Sequence, residues 1–490
     1  MSSPLSNLEP RGLWKHFDDI RRIPRPSKSE ERVAEHVVRW AGGCGFEVLR
    51  DAAGNVVVRV PATKGREGAP VIVLQGHLDM VAEKNQDVAF DFMKDAIQVR
   101  IVGDYVYATG TTLGADNGIG VAAAMAVAED PQAAHGPLEL LFTIDEETGL
   151  TGAMQIDTAL LKGRTMINLD TEEDGALYIG CAGGADSTCR FTIERVAASI
   201  ATAPFQLSVR GLRGGHSGVD IHENRGNALK FVARCLNAAR TAGVDFEVVS
   251  IAGGSKHNAI PREADALVRL PKAKETAFRK TVEQTAAALR DEFGEIDPNQ
   301  KIEVKALDDP DELRRVWSRH DRDRILDALL GCPHGVLAMS RAVPGLVETS
   351  NNLAVVTTEG DELRLTISSR SSVTPSLKAV SEQVAAVFRR AGGEVESHDG
   401  YPGWAPNPKS PILRVALAVF EREFGAKPAV KAIHAGLECG LIGERFPGMD
   451  MVSMGPQIES PHSPDERVKI PTVATFYRLL KVVLAEIAGK

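Results

Sequence analysis

Three short, largely apolar runs, each followed within three residues by His, Asp or Glu, constrain the fold of this chain more than any other feature. The runs are Val71–Leu74, Leu138–Ile144 and Met166–Leu169. A run of consecutive apolar residues is typical of a strand that is buried on both faces. Helix-like segments separate these runs, among them a stretch rich in small residues after Gly120. Strands that alternate with helices predict an α/β domain with a mostly parallel central sheet.

Composition excludes several classes of protein. The 490-residue chain has 57 Lys and Arg residues against 66 Asp and Glu residues, a net charge of −9, whereas non-specific nucleic-acid binding needs a basic surface. The sequence contains no stretch of about 20 apolar residues, so it predicts no membrane span. The six cysteines lack the spacing of a zinc ribbon or a disulfide framework. The polar N-terminal stretch has no apolar segment typical of a secretory signal, so we predict a cytoplasmic location.

The pattern of strands and helices changes along the chain and predicts two domains. From about Phe205, alternating strands and long amphipathic helices replace the buried runs, and the buried pattern returns after about Trp404. We predict one α/β domain formed by residues 1–186 and 381–490. An inserted α+β domain, residues 187–380, interrupts it.

The residues that follow the apolar runs form the first group of candidate functional residues. In an open α/β sheet, sites form at the carboxyl ends of strands. His77 and Asp79 follow the first run, and residues i and i+2 share a side of an extended chain. Asp79 is therefore placed to hold the ring of His77, as a carboxylate often does for a metal-binding histidine.

Further acidic residues and a late histidine complete this group. Glu146 and Glu147 follow the second run, and adjacent carboxylates there could point one to a metal and one to substrate. Asp170 follows the third run, Asp116 lies in a glycine-rich segment, and His462 lies in a loop between two prolines. Together these nitrogen and oxygen ligands suit Zn, Mn or Co rather than Ca.

A competing interpretation comes from the same glycine-rich segment, Gly114–Gly120. Its GxxxGxG form, together with Tyr477 and Lys481 in a YxxxK pattern, is found in NAD-dependent short-chain dehydrogenases. That fingerprint needs a buried strand directly before it, and residues 105–112 make a poor one. A dehydrogenase stays a remote alternative.

Seven segments in chain order resemble the M20 metallopeptidases, a dinuclear-zinc family, and within it the branch of aminoacyl-histidine dipeptidases. They extend from residue 75 to residue 468, nearly the whole chain. The segments are QGHLDMV, TTLGADNGIG, DEETG, NLDTEE followed by YIGCAGG, GGHSGVDIHENRGNA, HAGLECG and SPHSPDERV.

This resemblance implies a role for each metal-site residue. Asp116 would bridge two divalent metal ions, zinc first, with manganese and cobalt as alternatives. His77 and Asp170 would complete one site, and Glu147 and His462 would complete the other. The family also has a cis peptide after the bridging aspartate, here Asp116–Asn117.

The resemblance also implies the catalytic and substrate-binding residues. Glu146 would be the general base that deprotonates a water shared by the two metals, and Asp79 would support His77. His216 would donate a hydrogen bond to the oxyanion, from the same chain or from a dimer partner. The residues expected to contact substrate are Asn258, Arg370 and Glu438.

The function that follows is hydrolysis of dipeptides, in particular Xaa-His dipeptides such as β-alanyl-histidine. The interrupted domain would be catalytic, and the insert would act as a lid or dimerisation domain. A deacylase of N-acyl amino acids would use the same fold and metals and is the main alternative. A non-enzymatic binding protein would be signalled by loss of Glu146 or of a ligand, and none is missing. The partners expected are small peptide substrates and, for a dimer, a second copy of the chain.

Overall fold

Helices occur throughout the computed structural model, which describes residues 3–398 and 400–489. Short 3-10 turns aside, they are α1 (Arg11–Ile20), α2 (Glu31–Gly43), α3 (Ala115–Glu129), α4 (Glu146–Gly149), α5 (Thr151–Gln155), α6 (Ala228–Thr241), α7 (Glu275–Phe293), α8 (Arg319–Gly331), α9 (Thr374–Arg390), α10 (Pro411–Phe424), α11 (Glu438–Arg445) and α12 (Ile470–Ala488). No helix in this part of the chain is both long and apolar enough to cross a membrane.

Strands alternate with these helices along the described chain. They are β1 (Glu47–Arg50), β2 (Val56–Val60), β3 (Ile72–His77), β4 (Val99–Val102), β5 (Tyr105–Ala108), β6 (Leu138–Thr143), β7 (Thr165–Asn168), β8 (Ala176–Cys181), β9 (Gly183–Thr192), β10 (Arg195–Ala197), β11 (Thr202–Arg210), β12 (Gly215–His216), β13 (Glu247–Gly253), β14 (Ala259–Ile260), β15 (Ala264–Pro271), β16 (Lys301–Ala306), β17 (Arg315–Trp317), β18 (Gly335–Met339), β19 (Val347–Glu359), β20 (Glu362–Ser371), β21 (Glu394–Ser397), β22 (Ala429–Ile433), β23 (Asp450–Ser453), β24 (Ile458–Glu459) and β25 (Arg467–Lys469).

The first of two compact units contains the predicted buried strands. It is formed by Met1–Gly180, Trp404–Ala432 and Leu437–Lys490. Its main sheet has eight strands in the order β1-β2-β6-β3-β7-β23-β8-β22. The central strands β6, β3, β7 and β23 run parallel, whereas β1, β2 and β8 join antiparallel. All residues of β3 and β6 are buried, which explains why apolar residues predominate in both strands. The predicted α/β architecture with a mostly parallel central sheet is confirmed.

A smaller sheet of the same unit was not predicted from the sequence. It has four strands in the order β24-β25-β5-β4. Tyr105–Ala108 is thus a strand of this sheet, with alternating half-buried and buried residues. The YxxxK pair has a structural explanation, because Tyr477 Oη and Lys481 Nζ lie 3.3 and 2.5 Å from Asp130 Oδ2, where α3 ends.

The second unit consists of Cys181–Gly403 and Ile433–Gly436. Its nine-stranded sheet has the order β16-β11-β15-β13-β19-β20-β9-β21, with β18 paired to β19. The registered strand pairs of this sheet are antiparallel. Its core includes apolar residues of β9, β11, α6, α7 and α9. The strands and helices predicted for the insert are therefore present.

The observed boundaries of this unit differ from the predicted limits of 187 and 380. Strand β9 begins at Gly183 and pairs with β20 over its whole length. The limit at 380 would cut helix α9, whose buried residue Phe388 belongs to the core of the second unit. Hydrogen bonding and core packing, rather than the change in sequence pattern, set both boundaries. The role of this unit as a lid or dimerisation domain stays a prediction.

Two local predictions also need correction. Ser29, followed by two acidic residues, predicts a side-chain cap for the second helix. Helix α2 instead begins at Glu31 with Glu30 as its N-cap residue. Glu30 Oε1 instead accepts hydrogen bonds from the backbone N–H groups of Lys28 and Asp145. The sequence also predicts a helix near residues 152–161, but helix α5 is short and ends at Gln155.

Candidate metal centre

The parallel strands of the first unit bring most of the predicted ligands to one edge of the sheet. His77 is the last residue of β3, and Glu146 and Glu147 begin a short helix just after β6. Asp170 follows β7. Because β6, β3 and β7 are parallel neighbours, their carboxyl ends meet at the same edge.

Asp116 lies between two histidines. Its Oδ1 is 3.0 Å from Nε2 of His77, and its Oδ2 is 3.2 Å from Nε2 of His462. The same Nε2 of His77 lies 3.4 Å from Asp170 Oδ1, and Nε2 of His462 lies 3.1 Å from Glu147 Oε2. Each oxygen of Asp116 therefore faces a separate His-carboxylate pair. The Asp116–Asn117 peptide bond is cis, as the resemblance implied.

Asp79 organises the loops around this centre. Its Oδ1 is 3.3 Å from Nδ1 of His77 and accepts a hydrogen bond from the N–H of Glu146 at 3.0 Å. Its Oδ2 accepts from the N–H of Glu147 and from the Ser27 hydroxyl. Burial opposes ionisation, but the hydrogen bonds from His77 and Ser27 outweigh it and lower the pKa of Asp79 to about 2. An ionised Asp79 holds the His77 ring and the loop that carries both glutamates.

The donor atoms of this edge fit divalent metal ions. Oε1 of Glu147 and Oδ1 of Asp170 are buried and have no hydrogen-bond partner among the described residues. Burial and the neighbouring charge of Asp116 raise the pKa of Asp170 to about 7, although His77 acts in the opposite direction. Carboxylates this close together and this poorly hydrated need a cation to stay ionised. His77, Asp116 and Asp170 form one group with metal-ligand spacing.

Glu172 was not selected from the sequence, although it lies in the NLDTEE segment. In the structure it joins Asp116 and His462 in a second group with metal-ligand spacing. Burial and the charges of Asp116 and Asp170 raise its pKa to about 9. A third such group contains His77 with Glu146 and Glu147. The only sequence signal for Glu172 was its position two residues after Asp170.

Glu438, a predicted substrate-binding residue, is fully buried in the first unit. Its Oε2 accepts hydrogen bonds from Gln75 Nε2 at 2.6 Å and from Thr143 Oγ1 at 2.7 Å. Its Oε1 is buried without a hydrogen-bond partner, and burial raises the pKa of this carboxyl to about 7. Glu438 therefore lies below the strand ends that carry His77 rather than on a solvent-facing surface.

His216, in the second unit, is a neutral hydrogen-bond donor at neutral pH. Its Nδ1 accepts hydrogen bonds from the N–H groups of Gly218 and Val219 at 3.1 and 3.0 Å. Burial and the nearby charge of Arg370 lower the pKa of His216 to about 4. Because Nδ1 is an acceptor in both bonds, the single ring proton sits on Nε2.

Arg370 and Asn258 also lie in the second unit. Arg370 is buried, and its Nη1 donates to the hydroxyl of Tyr401 at 3.0 Å. Its Nε has no partner among the described residues, and the side chain lines a cavity of about 200 Å³ with His257 and Tyr401. The backbone carbonyl of Asn258 accepts a hydrogen bond from Ser217 N–H at 2.8 Å, which ties it to the loop of His216.

Sequence and fold relate this chain to known peptidases. The family model described as peptidase family M20/M25/M40 matches residues 73–486. The chain is 41% identical over 488 residues to the cytosol non-specific dipeptidase of Escherichia coli (strain K12), covering 100% of each chain. The crystal structure of aminoacylhistidine dipeptidase from Vibrio alginolyticus is similar with a TM-score of 0.92 and 43% identity, covering 98% of each chain. Aminopeptidase PepT from Bacillus cereus ATCC 10987, with a TM-score of 0.58 and 16% identity over 99% of this chain and 100% of its own, shares the fold.

Proposed function

Because this chain belongs to peptidase family M20/M25/M40, we propose that it is a metal-dependent dipeptidase that hydrolyses Xaa-His dipeptides, β-alanyl-histidine among them. The observation that carries the proposal is the pair of histidines, His77 and His462, facing opposite oxygens of Asp116. Similarity to a dipeptidase over the full length of both chains supports the substrate class. That relative is named a cytosol dipeptidase, which supports the cytoplasmic location predicted for this chain.

The proposed metal centre holds two divalent ions. His77 and Asp170 would bind one, Glu147 and His462 the other, and Asp116 both. Nitrogen and carboxylate ligands suit zinc first, with manganese and cobalt as alternatives. When bound, such ions supply Lewis-acid activation of water and of a peptide carbonyl.

The residues of the chain would carry the proton transfers. Glu146 would take the proton of the attacking water and return it to the nitrogen of the leaving amine, which breaks the C–N bond. Asp79 would keep Glu146 in place through its hydrogen bond to the Glu146 N–H. His216, with its proton on Nε2, would donate to the oxyanion that develops on the peptide carbonyl.

Three further residues would bind the ends of the substrate. Arg370 lies beside a cavity, its Nε has no partner among the described residues, and it would bind the free carboxylate of a dipeptide. Asn258 would contact the substrate backbone from the loop tied to His216. Glu438, whose Oε1 has no partner among the described residues, would face the free amine.

Metal removal and replacement test this function. The purified chain is stripped with a chelator, and hydrolysis of β-alanyl-histidine is measured while zinc or manganese is added back. We expect activity to disappear and to return as metal uptake approaches two ions per chain, because the ligand set contains two groups that share Asp116. An N-acetyl amino acid serves as the comparison substrate for the deacylase alternative.

The outcomes separate the alternatives. Metal uptake with cleavage of the N-acetyl amino acid alone would favour the deacylase. Failure to bind any metal would contradict the assignment of all five predicted ligands. Nucleotide binding without metal dependence would instead favour the dehydrogenase.

Replacing Arg370 by Ala is expected to raise KM for dipeptides by about 10- to 100-fold, because a charged hydrogen bond worth about 1.5–3 kcal/mol is lost. The effect on kcat should be smaller, and steady-state kinetics measure both. Arg364 on the same strand is the matched control, because its side chain is exposed and pairs with Glu362. An unchanged KM in R370A would contradict the proposed carboxylate contact.

A further inference from the structure

The carboxylate of Glu466 is surrounded by backbone N–H groups of the segment that carries Asp116. Its Oε2 accepts from the N–H groups of Leu113 and Gly114 at 2.6 and 3.0 Å. Its Oε1 accepts from those of Ala115 and Asp116 at 2.8 and 3.3 Å. Glu466 is only 2% exposed, so these bonds form away from water.

These N–H groups lie just before and at the start of α3, ahead of a kink at which Asp116 and Asn117 have non-helical backbone angles. The first N–H groups of a helix lack an intrahelical partner. Gly114 is the N-cap residue and has no side chain to supply one. A buried N–H without an acceptor costs about 1–3 kcal/mol, and a negative charge is favourable at a helix N-terminus. Glu466 therefore supplies acceptors to the N–H groups of residues 113–116, which Gly114 cannot do.

Buried Arg25 acts on the same segment from the other side. Its Nη2 donates to the carbonyl of Gly114 at 2.5 Å, and its Nη1 donates to the carbonyls of Leu78 and Asp79. The charges of Asp79 and Glu466 lie near this guanidinium. Arg25 thus joins the loop after His77 to the segment before Asp116.

Glu466 also connects two ligands that are far apart in sequence. It lies four residues after His462 in the same loop, whereas His462 and Asp116 are separated by 346 residues. The hydrogen bonds from the N–H groups of residues 113–116 to Glu466 hold this loop against the segment of Asp116. They therefore restrict how far His462 and Asp116 can move relative to each other.

We propose that Glu466 is a positioning residue that fixes the carboxylate of Asp116 between His77 and His462 by binding the N–H groups of residues 113–116. This inference rests on the proposed metal centre. It assigns to Glu466 no contact with metal or substrate. Its effect is to preorganise the bridging ligand before metal binds.

Zinc affinity of the metal-stripped protein tests the proposal. In Glu466→Gln, the amide NH₂ would face two of the backbone N–H groups, so half of the acceptor bonds would be lost. We expect zinc affinity, measured by competition with a chromophoric chelator, to fall by about 10- to 100-fold, the usual cost of losing a residue that supports metal ligands. The absorption spectrum of the Co²⁺-substituted variant should change, because it reports ligand geometry.

Glu139→Gln is the matched control. Glu139 is also 2% exposed and accepts backbone N–H bonds, from Lys162 and Gly163 at 2.8 and 3.0 Å. It lies near the start of β6, at the opposite end from Glu146. We expect E139Q to lower the thermal unfolding temperature without changing zinc affinity or the Co²⁺ spectrum. Equal losses of zinc affinity in both variants would reduce Glu466 to a general structural role and overturn the proposal.

Two further measurements keep the proposal testable if E466Q does not fold. Glu466→Asp keeps the charge and both oxygens on a shorter side chain, and we expect an intermediate loss of zinc affinity. In the metal-free wild type, we expect slow hydrogen exchange at residues 113–116, since Glu466 already binds these N–H groups. Exchange there at the rate of an unprotected peptide would overturn the proposal.

The zinc measurements do not depend on hydrolysis. A wild-type chain that binds zinc but cleaves no dipeptide would contradict the proposed function and leave the role of Glu466 intact. Wild-type zinc affinity in folded E466Q would contradict the role of Glu466 and leave the dipeptidase intact.

Discussion

The Glu146→Gln variant is expected to lose about 10²- to 10⁴-fold in kcat for dipeptide hydrolysis, the contribution of a positioned general base. Gln keeps the size of Glu but cannot accept a proton from water at neutral pH. Zinc uptake should stay close to that of the wild type, because His77, Asp116 and the other predicted ligands are unchanged. Steady-state kinetics and a zinc titration of the same preparation measure the two effects.

Two variants frame this result. Glu147→Gln is expected to lose zinc affinity as well as activity, since Glu147 Oε2 lies 3.1 Å from His462 Nε2. Glu173→Gln should behave like the wild type, because Glu173 pairs with Lys431 and Tyr178. A Glu146→Gln enzyme with normal kcat would rule out Glu146 as the base and direct attention to Glu172.

The His216→Ala variant is expected to lose about 10²- to 10³-fold in kcat, the usual effect of removing an oxyanion donor. Because the proton on Nε2 would act mainly on the transition state, KM should change less. His222→Ala is the control, since the His222 side chain is exposed and its Nδ1 lies 2.9 Å from the carbonyl of Val219. Normal kcat in His216→Ala would exclude this histidine as the donor.

Mixing the two inactive variants shows which chain supplies His216. If the histidine acts across a dimer, equal amounts of E146Q and H216A should regain about a quarter of wild-type activity. The reason is that half of randomly exchanged two-fold dimers would contain one complete site. If His216 acts within its own chain, the mixture stays inactive, and size-exclusion chromatography of the mixture verifies that subunits had the opportunity to exchange.

Most of the proposed metal ligands carry a local sequence signal. His77 is the last residue of β3, and Glu147 and Asp170 lie within four residues of the ends of β6 and β7. The apolar runs of these strands are visible in the sequence. Neighbouring parallel strands have their carboxyl ends at the same edge of the sheet, so residues at these ends are expected to lie close together. His462 had no such strand signal, and its assignment depended on the resemblance of the SPHSPDERV segment.

The boundaries of the two units were less predictable because they depend on pairing between distant strands. Residues 183–186 follow β8 almost directly, yet they belong to β9 and pair with β20 near residue 370. The amino-acid composition changes gradually between β8 and β9, whereas the strand partner changes within two residues. The four-stranded sheet of β4, β5, β24 and β25 escaped prediction for the same reason, since its strands come from opposite ends of the chain.

The sequence by itself determined the α/β class and predicted that most of the proposed metal ligands lie at strand ends. Both predictions follow from sequence patterns a few residues long, which decide where strands form and end. Only the tertiary structure decided that Glu466 caps the segment of Asp116, that Arg25 joins it to the loop of His77, and that Glu172 approaches the same centre. Glu466 accepts hydrogen bonds from backbone N–H groups about 350 residues away in the sequence. Neither segment shows a sequence pattern for this contact, because any acceptor that the fold brought there would satisfy these N–H groups.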